Sequence, residues 1–205
     1  MNAFALKKPA LRCSFTAANG TLPAAYPWTG AGEIRPTVDG VPSQFADSGG
    51  LTWDLNSNQI QNRASLTTLV GIKLPAPVRR MTIGLENGET GFVGSFMGVL
   101  FRGAEDLSTY MEAVLVRTAT GIIRLQIRRH TGVDLVSVII TPSPAITTRQ
   151  QAELIDTGDA IIFTCAGNRA VVANSELKDQ QSVGLVIPLA SATALQKMDN
   201  LEAWT

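Results

Sequence analysis

This chain is short of the residues that most chemistry requires. Among 205 residues there are two cysteines and one histidine. Cys13 and Cys165 have no spacing that matches a zinc site or a redox pair, so both read as buried thiols behaving as small apolar side chains. His130 sits in a His-Thr-Gly turn, and no nucleophile elbow accompanies it, which excludes a hydrolase triad. Charged residues make up 17% of the chain, below the usual quarter or so. Lys+Arg and Asp+Glu stand at 17 each; a balanced chain creates no global field for nucleic acid or an acidic membrane. Aromatics reach only 6%, and Trp28, Trp53 and Trp204 lie outside the central region, which argues against an open, ring-lined sugar groove. No segment is long and apolar enough to span a bilayer. The start, MNAFALKKPALR, lacks an apolar run of signal-peptide length, so synthesis in a cytoplasm without standard export is expected. Asn19-Gly20-Thr21 matches a glycosylation sequon by chance on that reading. No phosphate-cradling glycine loop, repeat, low-complexity segment or linker is present.

What the chain does have is 18 Gly, 10 Pro and 45% hydrophobic residues, the materials of many turns around one large core. Residues 96–140 read as four strands in a row, FMGVLFR, YMEAVLVR, IIRLQIRR and VDLVSVII. Gly103-Ala104-Glu105-Asp106, residues 118–121 and His130-Thr131-Gly132 separate them. Strands joined by short polar turns pair antiparallel, because a parallel pair needs a crossover of a dozen residues or more. The spacing therefore predicts an all-β chain with an antiparallel meander at its centre, in one domain over residues 12–205.

Residues 1–11 read as an N-terminal arm, with Phe4, Leu6, Lys7 and Lys8 as its assembly contacts. A strand is expected at 12–15, then a Pro- and Gly-rich loop over 22–44 that packs Tyr26 and Trp28 on the domain. Within it Asp39-Gly40 is a turn signal. Weaker strands fall at 51–55 and 59–61. Residues 66–74 fit either a strand or one helical turn. In 80–85 Met81, Ile83 and Leu85 share one face. Prolines at 142 and 144 break the chain after the meander, and 147–154 is the one segment that fits a short helix. Residues 159–165 and 169–173 read as a hairpin turning at Ala166-Gly167-Asn168. Further strands are expected at 182–187 and 199–204, with Trp204 sealing the edge of the fold and 190–197 as loop.

Several motifs carry a family resemblance in their order and spacing. They are Ser14 to Leu22, Gly98-Val99-Leu100-Phe101-Arg102 followed by Tyr110, Leu125-Gln126-Ile127-Arg128-Arg129, Thr157-Gly158-Asp159, Thr164-Cys165-Ala166-Gly167-Asn168, Ser182-Val183-Gly184-Leu185, and Asp199-Asn200-Leu201. From about residue 12 onward the chain resembles the concanavalin A-like lectin/glucanase superfamily in its LamG-like jelly-roll form. The resemblance implies two stacked antiparallel sheets, one convex and one concave, with adjacent chain ends. In such relatives the residue matching Asp199 sometimes helps hold calcium. No second acidic ligand is assignable here, so no metal and no cofactor is expected.

Glucanases of that superfamily use a Glu-x-Asp-x-x-Glu run on one strand, where alternation gathers the carboxylates on one face. The nearest run here, Glu153-Leu154-Ile155-Asp156, has the wrong spacing and no following Glu. Glu86 and Glu89 fall in a loop. A glycan-cleaving enzyme is therefore the least favoured reading. Along the meander, Arg124, Gln126 and Arg128 point to one side of their strand. With Tyr110 and Glu112 on the next strand, and Arg102 ending the one before, they form a candidate glycan- or partner-binding face. Such groups suit hydrogen bonding to sugar hydroxyls and stacking of a ring on Tyr110; a plain solvated sheet face predicts the same alternation. The low surface charge and the apolar arm favour a non-catalytic structural or adhesion module of a bacteriophage particle, such as a capsid decoration (cement) or tail-associated protein. Its expected partners are other virion proteins, capsid or tail subunits, in a homo-oligomer or lattice, with no nucleic acid and no membrane. Its expected location is the virion, after synthesis in the host cytoplasm. The alternative is a carbohydrate-binding module that reads host glycan with the same face.

Overall fold

The computed structural model describes residues 8–15, 37–39, 41–42, 46–47, 53–56, 59–62, 68–86, 96–119, 122–130, 133–140, 149–187 and 197–205. They form an all-β, two-sheet antiparallel sandwich, with no helix among the described residues. The strands are β1 (Leu11–Cys13), β2 (Thr37–Val38), β3 (Val41–Pro42), β4 (Ala46–Asp47), β5 (Trp53–Asn56), β6 (Gln59–Asn62), β7 (Thr68–Lys73), β8 (Arg80–Glu86) and β9 (Phe96–Gly103). They continue with β10 (Met111–Ala119), β11 (Ile122–Arg129), β12 (Asp134–Ile139), β13 (Gln150–Asp156), β14 (Ala160–Cys165), β15 (Asn168–Ala173), β16 (Ser182–Ile187) and β17 (Lys197–Trp204).

One sheet runs β12-β11-β10-β9-β16-β7-β4, so the predicted meander is present in the predicted pairing, extended by β16 on its inner flank. The other runs β15-β14-β13-β8-β17-β1-β2-β3, with β6 also pairing with β17 and β5 with β6. Alternate residues of both sheets meet in one core. Met97, Val99, Leu115, Leu125 and Ile127 face Met81, Ile83, Leu154, Ile161 and Phe163, all essentially excluded from solvent. Each such side chain stabilises the fold by roughly 1.5–3 kcal/mol relative to exposure. Cys13 and Cys165 are free thiols in this core, and burial pushes the Cys165 thiol up to about 12.

Within segment 66–74, open between strand and helical turn, residues 68–73 form the strand β7, and 66 and 67 lie outside the described residues. Of the expected helix at 147–154, residues 150–154 belong to the strand β13, and 147 and 148 lie outside the described residues. Ala152, Leu154 and Asp156 point inward while Gln151 is exposed and Glu153 half-exposed, a period of two that helical spacing does not produce. The β14–β15 hairpin is tighter than expected. Cys165 pairs with Asn168, so the two turn residues are Ala166 (φ 49°) and Gly167 (φ 74°), and Asn168 only braces the turn by donating to the Ala166 carbonyl at 2.9 Å. Both central residues of such a turn need positive φ. Asp39 (φ 50°) makes the predicted β2–β3 turn.

Trp204 does not seal the sandwich. Leu201 and Ala203 point into the core, which sends Trp204 to the outer face of its sheet, beneath the guanidinium of Arg80 at 4.6 Å. Of the assembly arm, Lys8 is exposed; Phe4, Leu6 and Lys7 lie outside the described residues, as do Tyr26 and Trp28 of the expected loop.

Candidate functional site

In β10 and β11 the outer face of the meander is built by strict alternation. On β10, Met111, Ala113 and Leu115 enter the core, so Glu112, Val114 and Val116 face out. On β11, Ile123, Leu125 and Ile127 enter the core, so Arg124, Gln126 and Arg128 face out beside them. The register places Glu112 opposite Arg128 and Val114 opposite Gln126. The structure thus brings together Tyr110, Glu112, Arg124, Gln126 and Arg128, as expected from the sequence.

Their chemistry is more closed than an open patch. Arg128 donates to a single Glu112 oxygen through Nε at 3.0 Å and also through Nη2, and its guanidinium lies over the Phe96 ring at 4.2 Å. The Tyr110 hydroxyl hydrogen-bonds the same carboxylate. Gln126 donates to Asp134 at 2.7 Å and to Ser137 at 3.2 Å, and Arg124 reaches Ser137 at 3.3 Å. Glu112, Gln126 and Arg128 are themselves buried; Tyr110, Arg124 and Ser137 are half-buried and Asp134 is exposed. An apolar bed of Leu100, Val114, Val116 and Val186, joined by Leu69, Phe96 and Leu107, adjoins the network. The buried members are therefore fixed in place, and the exposed ones present the donors and acceptors.

Arg102 does not belong to this face. Alternation from Leu100 would send it there, but β9 carries one extra residue against β16 between the Leu100–Gly184 and Gly103–Ser182 pairs. At that bulge Arg102 adopts φ 49° and turns the other way. Its guanidinium grips Asp156 of the opposite sheet with two bonds, Nε–Oδ2 at 2.7 Å and Nη2–Oδ1 at 2.6 Å. It also donates to the carbonyls of Gly158, Asn174 and Glu176.

Asp134 and Ser137 of the site were not anticipated. They lie three apart, and simple alternation would separate them. The register shift between the Ile127–Val136 and Arg128–Asp134 pairs inserts one residue and returns both to the Gln126 side. A bulge of this kind leaves no composition signal.

Tyr110 links the network to a hollow of about 540 Å³ at the end of β10, lined also by Thr109, Arg129, His130, Glu176 and Leu177. The Tyr110 and His130 rings lie 5.6 Å apart at 56°, and Arg129 pairs with Glu176 across the hollow. Burial, helped by the Glu112 charge, pushes the Tyr110 hydroxyl up to about 12, so Tyr110 stays a neutral donor at ordinary pH.

Burial also raises the Glu112 carboxyl, an effect that Arg128, Tyr110 and His130 only partly offset. A carboxyl raised by folding contributes stability that is complete below its unfolded pKa and is lost as pH rises through its folded pKa. Glu112→Gln holds the neutral form. The stability of the wild type relative to Glu112→Gln should therefore fall as pH rises over the range upward from about 4, where the unfolded carboxyl begins to ionise. Urea melts of both proteins across that range read the difference; a constant or rising difference would show that the Arg128 pairing outweighs burial.

The carboxylates tested for catalysis separate. Glu153 faces out and pairs with Arg80 at 2.6 Å, while Asp156 faces in and is held by Arg102. Among the described residues no group of three or more His, Cys, Asp or Glu side chains is placed to hold a metal ion.

No family profile and no curated protein sequence matches the chain. Solved structures do. A carbohydrate-binding module, CBM66, from Bacillus subtilis superposes with a TM-score of 0.55 at 14% identity, over 80% of this chain and 96% of that one. A legume lectin-like domain from Entamoeba histolytica gives 0.55 at 12% identity, over 78% and 89%. A prokaryotic β-1,3-1,4-glucanase (lichenase) derived from a mouse hindgut metagenome gives 0.55 at 8%, over 94% and 97%. At these identities the likeness is one of fold, an antiparallel two-sheet jelly roll. It corrects the expectation of a phage structural protein with capsid or tail subunits as partners. The matching structures include a carbohydrate-binding module, a lectin-like domain and glucanases, and nothing in these or in the geometry of the described residues ties the chain to a virion.

Proposed function

We propose that the protein is a non-catalytic carbohydrate-binding module, and that its ligand is a neutral oligosaccharide held on the outer face of the meander. The observation that carries this reading is a pair of neighbouring hydrogen-bonded groups, Tyr110–Glu112–Arg128 and Arg124–Ser137–Gln126–Asp134, the first of which opens at Tyr110 into a hollow of sugar size. Sugar hydroxyls both donate and accept, so they are matched by the exposed Asp134 carboxylate beside the half-buried Tyr110 and Ser137 hydroxyls and Arg124 guanidinium. The C–H face of a sugar ring is apolar and packs on an aromatic ring such as Tyr110. Glu112 and Asp134 balance Arg124 and Arg128, which suits a ligand without charge. The same-fold structures include a carbohydrate-binding module and a lectin-like domain, which supports the reading.

Two observations favour binding over cleavage. Glu112 is held by Arg128 through two nitrogens, and Glu153 and Asp156 face opposite sides of β13.

A glycan array of neutral oligosaccharides followed by calorimetry tests the reading. Tyr110→Ala should weaken binding about tenfold, as truncating a central aromatic contact costs about 1–2 kcal/mol, with the melting curve kept as the control for folding. Absence of any neutral ligand, or equal affinity in Tyr110→Ala, would overturn it. Release of reducing ends from the bound glycan would instead make the protein a glycosidase.

A further inference from the structure

The opposite sheet carries a second hollow that the proposed site does not use. It measures about 530 Å³ and lies on the outer face of four adjacent strands, β13-β8-β17-β1. Strands sit about 4.8 Å apart, so the hollow runs across roughly 14 Å of sheet. Its walls include Arg12, Arg80, Arg149, Gln151, Glu202 and Trp204.

The lining differs from the meander face in how much guanidinium it exposes: the Arg12, Arg80 and Arg149 side chains are 69%, 50% and 41% exposed, against 11% for Arg128. Each has a carboxylate partner, Glu202 at 3.3 Å, Glu153 at 2.6 Å and Asp199 at 2.8 Å, but every partner is less exposed than its guanidinium, which leaves N–H donors at the surface of the hollow. The guanidiniums are held from behind. Arg80 is stacked on Trp204. Arg149 lies across Gly84, where any side chain would collide with it, and it donates to the Asn200 amide oxygen at 2.5 Å. Asn200 is offered to it by a bulge, where β17 carries one extra residue between Asp199 and Glu202 and Asn200 takes φ 48°. Planar, positioned guanidinium forks bind carboxylate and sulfate oxygens in pairs.

We infer that this hollow binds an anionic oligosaccharide, one bearing uronate carboxylates or sulfate esters, with Arg12, Arg80 and Arg149 as the anion contacts and Trp204 in the floor. The inference rests on the carbohydrate reading and deepens it, giving the protein a second sugar surface, richer in exposed guanidinium, on the outer face of the other sheet.

Calorimetry of the full chain with a short oligogalacturonate and, separately, a sulfated galactan oligosaccharide tests it. One or both should bind, and the affinity should fall several-fold between about 50 and 200 mM NaCl, because partly exposed charges are screened over that range. Arg12→Gln with Arg80→Gln should weaken this binding at least tenfold and leave neutral-sugar binding at the Tyr110 face unchanged. Arg12→Gln alone, at a side chain 69% exposed, should weaken it about threefold with no change in melting, which keeps the test sound if the double variant folds poorly. Failure of both anionic ligands to bind, or equal affinity in the single and double variants, overturns the inference. Loss of neutral-sugar binding in the wild type would be a failure of the first site, read in a separate titration.

Discussion

Arg102→Ala should lower the stability of the whole domain by about 3–5 kcal/mol, the range for stripping one partner from a buried ion pair. In a chain of this length that is a fall in Tm of about 6–20 °C, at roughly 2–4 °C per kcal/mol. Arg102 is 1% exposed and ties the two sheets together near the start of the hairpin β14–β15. Removing it leaves Asp156, equally buried, as an uncompensated charge. It also takes a donor from the carbonyls of Gly158, Asn174 and Glu176. Replacing both members, Arg102→Met with Asp156→Leu, should cost less than either single change, since neither leaves a lone charge. The double variant should still fall short of the wild type, because the three carbonyls stay without their donor. Thermal melts of the four proteins check this cycle. An Arg102→Ala protein that melts with the wild type would show that the cross-sheet pair contributes nothing net.

Gly184→Ala should destabilise by about 3 kcal/mol or more, at the top of the range for overpacking a tight interior, and Gly184→Val should block folding. Gly184 lies in β16 between β7 and β9, paired with Gly71 on one side and Leu100 on the other. A Cβ there would stand 2.7 Å from the Gly71 Cα and the Val70 carbonyl carbon, and closer still to the Val70 oxygen. These are backbone atoms of a paired strand and cannot turn aside. Gly71→Ala is the contrast: its Cβ would meet Leu107 side-chain carbons, at 2.9 Å for the nearest. Leu107 belongs to the loop between β9 and β10 and can rotate, so Gly71→Ala should cost markedly less. Denaturant melts of the two alanine variants rank them. Equal losses would mean that the strand spacing relaxes and that the close approach at Gly184 is not a constraint.

The parts of the fold legible in the sequence are those set by local alternation and turn chemistry. The meander announced itself because Ile123, Leu125 and Ile127 alternate with Arg124, Gln126 and Arg128, and because its turns are short and polar. The same rule places Tyr110, Glu112 and the β11 polar residues on one face. It failed where a strand carries an extra residue. Arg102 reads as a sixth member of that face, and one bulge turns it into the interior. Asp134 and Ser137 read as belonging to opposite faces, and another bulge unites them. In 147–154 the mixture of Ala, Leu and polar residues is compatible with a helix by propensity, and pairing with β8 and β14 overrode it.

Sequence alone determined that this protein is an antiparallel β-sandwich with a polar, hydrogen-bonding face on its meander, because side-chain direction in a strand repeats every two residues and needs no knowledge of distant partners. Only the tertiary structure decided which of those polar groups are buried in ion pairs, where the bulges redirect Arg102 and Asn200, and that Arg12, Arg80, Arg149 and Trp204 line one hollow. Those residues come from strands far apart in the chain. Their proximity is a property of sheet order, which depends on how the two apolar faces close over one another rather than on any local pattern.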